Sequence, residues 1–144
     1  LDQRPAFWQA GIMKHLAVLS LTLLLAAPLA AQSVMTAEEF DNYTRGKTLF
    51  YAQSGQTYGA ERYLENRRVE WSFLDGECKQ GSWYEDNGLI CFTYDDTPAP
   101  QCWSFSASAR GLIAKFENNL DTTELYEAQD SDKEFTCLGP KVGV

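Results

Sequence analysis

Four cysteines are the residues of this sequence whose type and spacing most directly suggest chemistry. Cys78, Cys91, Cys102 and Cys137 are separated by 12, 10 and 34 residues, and no two of them form a Cys-x-x-Cys pair. This spacing argues against a zinc site and favours two disulfide bonds. We therefore predict no metal site and no cofactor.

Histidine chemistry is excluded for most of the chain, because the single histidine is His15. Without histidine, Ser-His-Asp and Cys-His nucleophile systems cannot form. Two carboxylates at a defined separation suffice for a glycosidase, and the candidates near two predicted turns are Glu85, Asp86, Asp95 and Asp96. Acids in turns usually accept hydrogen bonds from backbone amides instead, so we predict no catalytic residue and a protein that is not an enzyme.

Aromatic side chains are the remaining candidates, with 17 in the 113 residues from Gln32 onward. Tyr and Trp at sheet edges can form a platform for sugars or proteins. The alternation of the predicted strands assigns five of the aromatic residues to the core: Trp71, Phe73, Phe92, Trp103 and Phe105. The less settled ones are our candidates for a binding site at the surface: Tyr51, Tyr58, Tyr63, Trp83 and Tyr84.

Residues 13–31 have the pattern of a secretory signal peptide. Lys14 provides the basic start, an apolar run follows from Leu16 to Leu25, and small residues end the segment near Ala31. The run is shorter than the roughly 20 residues that cross a bilayer, so we expect cleavage near 31–33 and no stable membrane insertion afterwards. Residues 1–12 are interpreted as a start-site artefact or an extended n-region. The expected product is one β-rich domain over 32–144, secreted or periplasmic.

The charge of the chain limits its partners. The whole sequence has 12 basic and 20 acidic side chains, a net charge of −8. From residue 32 onward the counts are 10 and 19, a net charge of −9, because Arg4, Lys14 and Asp2 come earlier. Nucleic acids and anionic membranes require a basic face, so we predict neither as a partner. A basic protein or a small ligand is the expected partner.

The hydrophobic pattern predicts one short helix followed by strands. Thr36-Ala-Glu-Glu39 matches a capping box, which predicts a helix over about 37–45. Strands are predicted over 47–53, 57–64, 68–73, 89–94, 101–106, 112–116, 123–128 and 134–138, with an irregular run over 78–83 and a β-bulge at Gly81. About eight short strands after one helix predict an all-β fold, a small antiparallel barrel or sandwich.

The disulfide pairing follows from strand register. If Cys91 and Cys102 face each other across the 95–98 turn, Ile90 lies opposite Trp103, and both belong to the predicted buried face. A shift of one residue would place Trp103 against Cys91 instead. We therefore predict the pairs Cys91–Cys102 and Cys78–Cys137.

Short motifs spread over most of the domain resemble a group of small exported bacterial proteins of unassigned function. They are Gly46-Lys-Thr-Leu49, Tyr58-Gly-x-Glu61-x-Tyr63, Arg67-Arg-Val-x-Trp71, Cys78-x-x-Gly81-x-Trp83, Ile90-Cys-Phe92 and Cys102-Trp103. This resemblance implies nothing about activity. One loop, Ser54-Gly-x-x-Tyr58, is similar to the Ser-Gly-x-x-Tyr loop of the periplasmic inhibitors of c-type lysozyme, small disulfide-bearing β-barrels with a basic target. The chain differs from those inhibitors in lacking a second motif, Tyr-x-x-x-Thr-Lys-Gly.

These observations favour a secreted or periplasmic, non-enzymatic binding domain. Three alternatives remain open at this point. They are an inhibitor of a basic enzyme such as a lysozyme, a small carboxylate-dependent hydrolase, and an envelope structural protein without a discrete ligand.

Overall fold

The computed structural model describes residues 32–119, 123–129 and 131–139. The predicted signal peptide and the segment 1–12 lie outside the described residues. Eight antiparallel strands follow one another around a closed barrel. The elements are α1 (Ala37–Thr44), β1 (Thr48–Gln53), β2 (Gln56–Tyr63), β3 (Arg68–Ser72), β4 (Lys79–Asp86), β5 (Leu89–Tyr94), β6 (Thr97–Ser108), β7 (Gly111–Phe116) and β8 (Glu124–Glu127), with a short 3-10 turn at Glu65–Arg67.

The barrel is closed by a short seam between its first and last strands. Tyr51 lies opposite Glu127 and Ala52 opposite Tyr126 in the β1–β8 pairing. The amide of Ala128 adds a hydrogen bond of 2.7 Å to the carbonyl of Phe50. The predicted all-β fold with one short helix is confirmed, and this seam makes it a barrel, because a sandwich would leave these two edges apart.

Helix α1 begins at the predicted capping box. The hydroxyl oxygen of Thr36 accepts a hydrogen bond from the amide of Glu39, and the Thr36 amide donates to the Glu39 carboxylate at 2.8 Å. These bonds satisfy two amides that a helix start would otherwise leave without partners. The predicted boundaries are correct to within one residue.

The helix fills one end of the barrel through Phe40, which is fully buried. Its ring lies 4.4 to 6.3 Å, centroid to centroid, from aromatic rings on four strands: Tyr63, Trp83, Phe92 and Phe105. We call this the closed end; the β2–β3, β4–β5 and β6–β7 turns lie there. The β1–β2, β3–β4, β5–β6 and β7–β8 connections lie at the other end, which we call the open end, because antiparallel neighbours alternate in direction.

The two disulfides are the pairs that the register argument predicts. Cys91 pairs with Cys102 across β5 and β6, with the two Cα atoms 4.0 Å apart, and Ile90 lies opposite Trp103. Cys78 pairs with Cys137 and attaches the C-terminal segment to the β3–β4 connection. Next to this bond the amide of Leu138 donates to the carbonyl of Gly76 at 2.8 Å.

Three local predictions were wrong. Residues 134–138 form no strand, because the segment is held by the disulfide and by a single backbone hydrogen bond instead of a ladder. The pairings of β4 with β3 and β5 pass through Gly81 without a shift, so no bulge lies there. The strand predicted over 101–106 is longer, since β6 runs from Thr97 to Ser108.

Candidate functional site

A cavity of about 90 Å³ lies inside the barrel toward its open end. One water occupies about 30 Å³ of liquid volume, so the space suits a few waters or a small organic group. Aromatic rings form most of the wall, and Glu61 is its acidic residue. The lining residues are Tyr51, Tyr58, Glu61, Tyr63, Trp71, Phe73, Lys79, Phe92, Tyr94, Thr97, Gln101, Trp103, Phe105, Ala114 and Leu125.

Glu61 is the unusual residue of this wall, because it is a carboxylic acid in the barrel interior with 3% of its surface exposed. The hydroxyl of Tyr94 donates a hydrogen bond of 2.9 Å to its Oε2. The other oxygen, Oε1, is buried without a hydrogen-bond partner among the described residues. A buried acceptor normally has a hydrogen-bond donor, and the cavity that Glu61 lines has room for one.

Burial also changes the protonation of Glu61. It raises the pKa of the Glu61 carboxyl well above its ordinary value, the Tyr94 hydrogen bond opposes that rise, and the negative charge of Glu70 adds to it. Desolvation penalises the charged form of an acid. The empty cavity therefore favours the uncharged form of Glu61.

Two tyrosines form a second polar pair in the wall. The hydroxyl oxygens of Tyr51 and Tyr63 lie 2.8 Å apart, and either can donate. Burial raises the pKa of both hydroxyls, so both stay protonated. Because the pair uses only one of its two hydroxyl hydrogens, the second is free to turn toward another acceptor.

Two glycines allow aromatic rings to lie close to the strands. A Cβ atom at Gly59 would come within 2.3 Å of the Trp71 ring. One at Gly81 would come within 2.4 Å of the Thr93 carbonyl oxygen and 2.8 Å of the Tyr94 ring. Larger residues at either position would displace these rings. The glycines of β2 and β4 thus fix part of the cavity's shape.

The mouth of the cavity is formed by a contact group of three aromatic residues, Tyr58, Trp71 and Phe73. Their ring centroids lie 5.4 to 5.9 Å apart. Tyr58 is 39% exposed and Phe73 45% exposed, so apolar surface faces solvent at the open end. Beside it, the ammonium of Lys79 lies 2.6 Å from Asp96, and its hydrogen bond lowers the pKa of that carboxyl.

The five predicted binding residues are divided by the structure. Tyr51 and Tyr63 line the cavity, and Tyr58 lies at its mouth. The expectation of a surface position is wrong for Tyr51, Tyr63 and Trp83, which are buried because their strand positions face inward. Trp83 packs against Phe40 at the closed end, and Tyr84 is 40% exposed on β4 and is not part of the cavity wall.

The prediction for Phe73 was also wrong, because the alternation of β3 assigned this residue to the core and the structure exposes it. The strand ends at Ser72, and Leu74 has a positive φ of 62°, so the chain turns away immediately after Phe73. The side chain therefore lies at the mouth, exposed, and not in the barrel interior.

The four turn acids do not form a common site. Glu85 and Asp86 lie at the closed end, and Asp95 and Asp96 at the open end, because consecutive turns of the meander alternate between the ends. Glu85 accepts a hydrogen bond from the amide of Gly88 at 2.8 Å. The described carboxylates thus give no support to a two-acid hydrolase built from these residues.

Sequence reasoning missed Glu61 as a buried residue of the cavity wall. The available signal was its position in β2, where Gly59, Glu61 and Tyr63 share one buried face. An acid on the inward face of a strand has to be buried with a partner or ionise at a cost.

The described residues provide neither a cluster for a metal ion nor a membrane-spanning helix. No group of three or more His, Cys, Asp or Glu side chains in these parts of the chain is placed to hold a metal ion. No helix within the same ranges is long and apolar enough to cross a membrane. Comparison of the chain with protein-family models, curated proteins and solved structures found no match.

Proposed function

We propose that residues 32–144 form an exported, non-enzymatic binding domain that takes a small ligand into the open end of its barrel. The observation that carries this proposal is the unpaired Oε1 of Glu61 in the wall of an aromatic cavity. Ligand pockets are typically apolar with a few polar groups that fix orientation. Here Glu61 and the Tyr51–Tyr63 pair supply those groups.

The architecture supports this proposal. An eight-stranded barrel has an interior that side chains can just fill or that can hold one small ligand. In this chain Phe40 fills the closed end, whereas the open end keeps a cavity of about 90 Å³. A ligand of that size is a small molecule or one end of a longer molecule whose remainder extends past Tyr58 and Phe73.

Export is supported by the two disulfides and by the pattern of residues 13–31. Disulfides persist in oxidising compartments such as the periplasm and the extracellular space. The proposal of a ligand in the cavity does not depend on whether the protein is exported.

We favour a small ligand over the alternatives for two reasons. An inhibitor of a basic enzyme would contact it through exposed residues such as the 54–58 loop. The unpaired acceptor, Oε1 of Glu61, is instead inside the barrel, where the surface of a partner protein does not reach it. The separated turn acids remove the support for a hydrolase.

The test is a screen of small neutral, anionic and cationic fragments against ¹⁵N-labelled protein, purified from expression of the full chain under conditions that form the disulfides. Binding inside the cavity is expected to shift the indole N–H resonances of Trp71 and Trp103, which line it. The variant Gln101→Trp places a large side chain at the cavity wall and should abolish these shifts. Lys115→Trp makes the same change at an exposed position on β7 and should preserve them.

Two outcomes would overturn the proposal. One is a screen in which no fragment shifts these resonances. The other is binding that is equally strong in Gln101→Trp and in wild type, which would place the ligand elsewhere. Circular dichroism of both variants verifies that the barrel is intact.

A further inference from the structure

We propose that the ligand of this cavity presents a protonated primary or secondary amine, which donates an N–H hydrogen bond to Oε1 of Glu61 between aromatic walls. This inference rests on the proposed function and adds the chemical class of the ligand.

The first argument is the missing donor. Oε2 of Glu61 already accepts from Tyr94, whereas Oε1 has no partner among the described residues. A ligand that supplies an N–H satisfies this acceptor. A positively charged donor gains more than a neutral one, because hydrogen bonds to ionised groups are about twice as strong.

The second argument is the composition of the wall. Trp71, Phe92 and Tyr94 line the same cavity, and the rings of Phe92 and Tyr94 are nearly parallel, with centroids 6.4 Å apart. The faces of aromatic rings carry negative charge density and attract ammonium groups, most strongly where water is excluded. An anionic ligand would be repelled by these faces.

The third argument is the charge surrounding Glu61. The basic residue of the cavity wall, Lys79, lies at the mouth and is already paired with Asp96. The net charge of −8 for the whole chain also attracts cations. The titratable groups that interact with the carboxyl come from four strands: Tyr51 (β1), Tyr63 (β2), Glu70 (β3) and Tyr94 (β5). Lys79 on β4 lines the same cavity.

Binding of an ammonium group has a defined proton balance. The ammonium keeps its own proton, and the Glu61 carboxyl gives up its proton to solvent when the ion pair forms. Affinity for an amine should therefore rise with pH as long as the amine stays protonated. A neutral ligand releases no proton, so its affinity should not rise in this way.

The experiment compares n-butylammonium with 1-butanol, which has nearly the same size and shape but no charge, and with butyrate. Calorimetric titrations of wild-type protein at pH 7 are run in two buffers of different ionisation enthalpy. We expect butylammonium to bind at least about tenfold more tightly than butanol, equivalent to about 1.4 kcal/mol. We also expect the buffer dependence of its binding enthalpy to report proton release.

Two variants locate the effect. Glu61→Gln keeps the shape of the side chain and an acceptor for Tyr94 but cannot ionise, so the preference for butylammonium over butanol should disappear. Glu85→Gln makes the same substitution at the closed end and should retain the preference. The proton-release measurement uses wild type alone and so does not depend on how either variant folds.

The outcomes separate this inference from the proposed function. If butanol and butylammonium bind with equal affinity, and Gln101→Trp abolishes the binding of both, the amine inference is overturned. The small-ligand proposal then still stands. Tighter binding of butyrate, or binding of butylammonium that survives Glu61→Gln unchanged, also overturns it. Absence of butylammonium binding overturns the amine inference, and the broader fragment screen then decides the proposed function.

Discussion

The hydroxyl of Tyr94 on β5 donates a 2.9 Å hydrogen bond to Glu61 on β2, across the interior of the barrel and past two intervening strands. This bond fixes one oxygen of the carboxyl at the cavity wall and leaves the other unpaired. It connects strands that are not neighbours, so it links the position of the acid to the shape of the cavity.

Removing the Tyr94 hydroxyl, the donor of this hydrogen bond, should destabilise the protein. In Tyr94→Phe both oxygens of Glu61 would be buried without a partner, and we expect the free energy of unfolding to fall by about 1–3 kcal/mol. Tyr84→Phe changes an exposed tyrosine on β4 and should cost less than about 0.5 kcal/mol. Urea unfolding followed by tryptophan fluorescence measures both. Equal losses in the two variants would contradict a structural role for the Tyr94–Glu61 bond.

The stability of the protein should depend on pH through Glu61. Below the ordinary glutamate pKa of 4.5 the carboxyl is protonated in both the folded and the unfolded chain, so its burial carries no ionisation cost. Above it the unfolded chain ionises first, because burial raises the folded pKa. Wild type should then lose about 1.4 kcal/mol per pH unit relative to Glu61→Gln until the folded pKa is reached.

Urea unfolding of wild type and Glu61→Gln at pH 5 and pH 8 tests this prediction. The difference between the two proteins removes the contributions of the other acids. The variant should gain stability relative to wild type as pH rises. A gap that is constant, or that narrows toward pH 8, would show that Glu61 is not held uncharged by the fold.

Truncating Phe40 at the closed end should cost more stability than truncating an aromatic residue at the mouth. Its ring is fully buried against rings on four strands, so Phe40→Ala should lower the free energy of unfolding by about 3–5 kcal/mol. Phe73→Ala makes the same change at the mouth, where the side chain is 45% exposed, and should cost about 1 kcal/mol. Thermal unfolding compares the two, and similar losses would argue against helix α1 as the closure of the barrel.

Removing the Cys78–Cys137 disulfide should release the C-terminal segment. In the Cys78→Ser/Cys137→Ser variant, residues 131–139 keep only noncovalent contacts with the barrel. One of them is the Arg62 guanidinium, which lies 4.3 Å from the centroid of the Phe135 ring. Hydrogen exchange measured by mass spectrometry should speed up in 131–139 while β1–β7 stay protected. Faster exchange throughout the barrel would mean that the disulfide holds the whole fold.

The strand register could be predicted from the sequence because covalent and hydrophobic signals coincide. Aligning Cys91 with Cys102 places Ile90 against Trp103, and no other register of that hairpin satisfies both requirements. The capping box gave the start of α1 for a similar reason, since Thr36 and Glu39 interact only locally. Information confined to one hairpin or one helical turn is readable from the sequence.

Barrel closure and the cavity could not be predicted in this way, because they depend on residues far apart in the chain. The pairing of Tyr51 with Glu127 joins positions 76 residues apart, and no local pattern specifies it. The position of the Glu61 carboxyl depends on a hydrogen bond from Tyr94, and two strands, β3 and β4, lie between these residues in the chain. Alternation alone also cannot tell a wall residue such as Tyr51 from a packed residue such as Trp83, since both face inward.

The seam between β1 and β8 has a consequence for self-association. Two residue pairs and one further backbone hydrogen bond hold it, whereas the shortest hairpin pairing of the barrel, β7–β8, has three residue pairs. Opening this seam would expose two unpaired strand edges at once, and each edge is a template for the complementary edge of a second molecule. The same short contact that completes the cavity is thus the place where the monomer would begin to exchange strands with another copy.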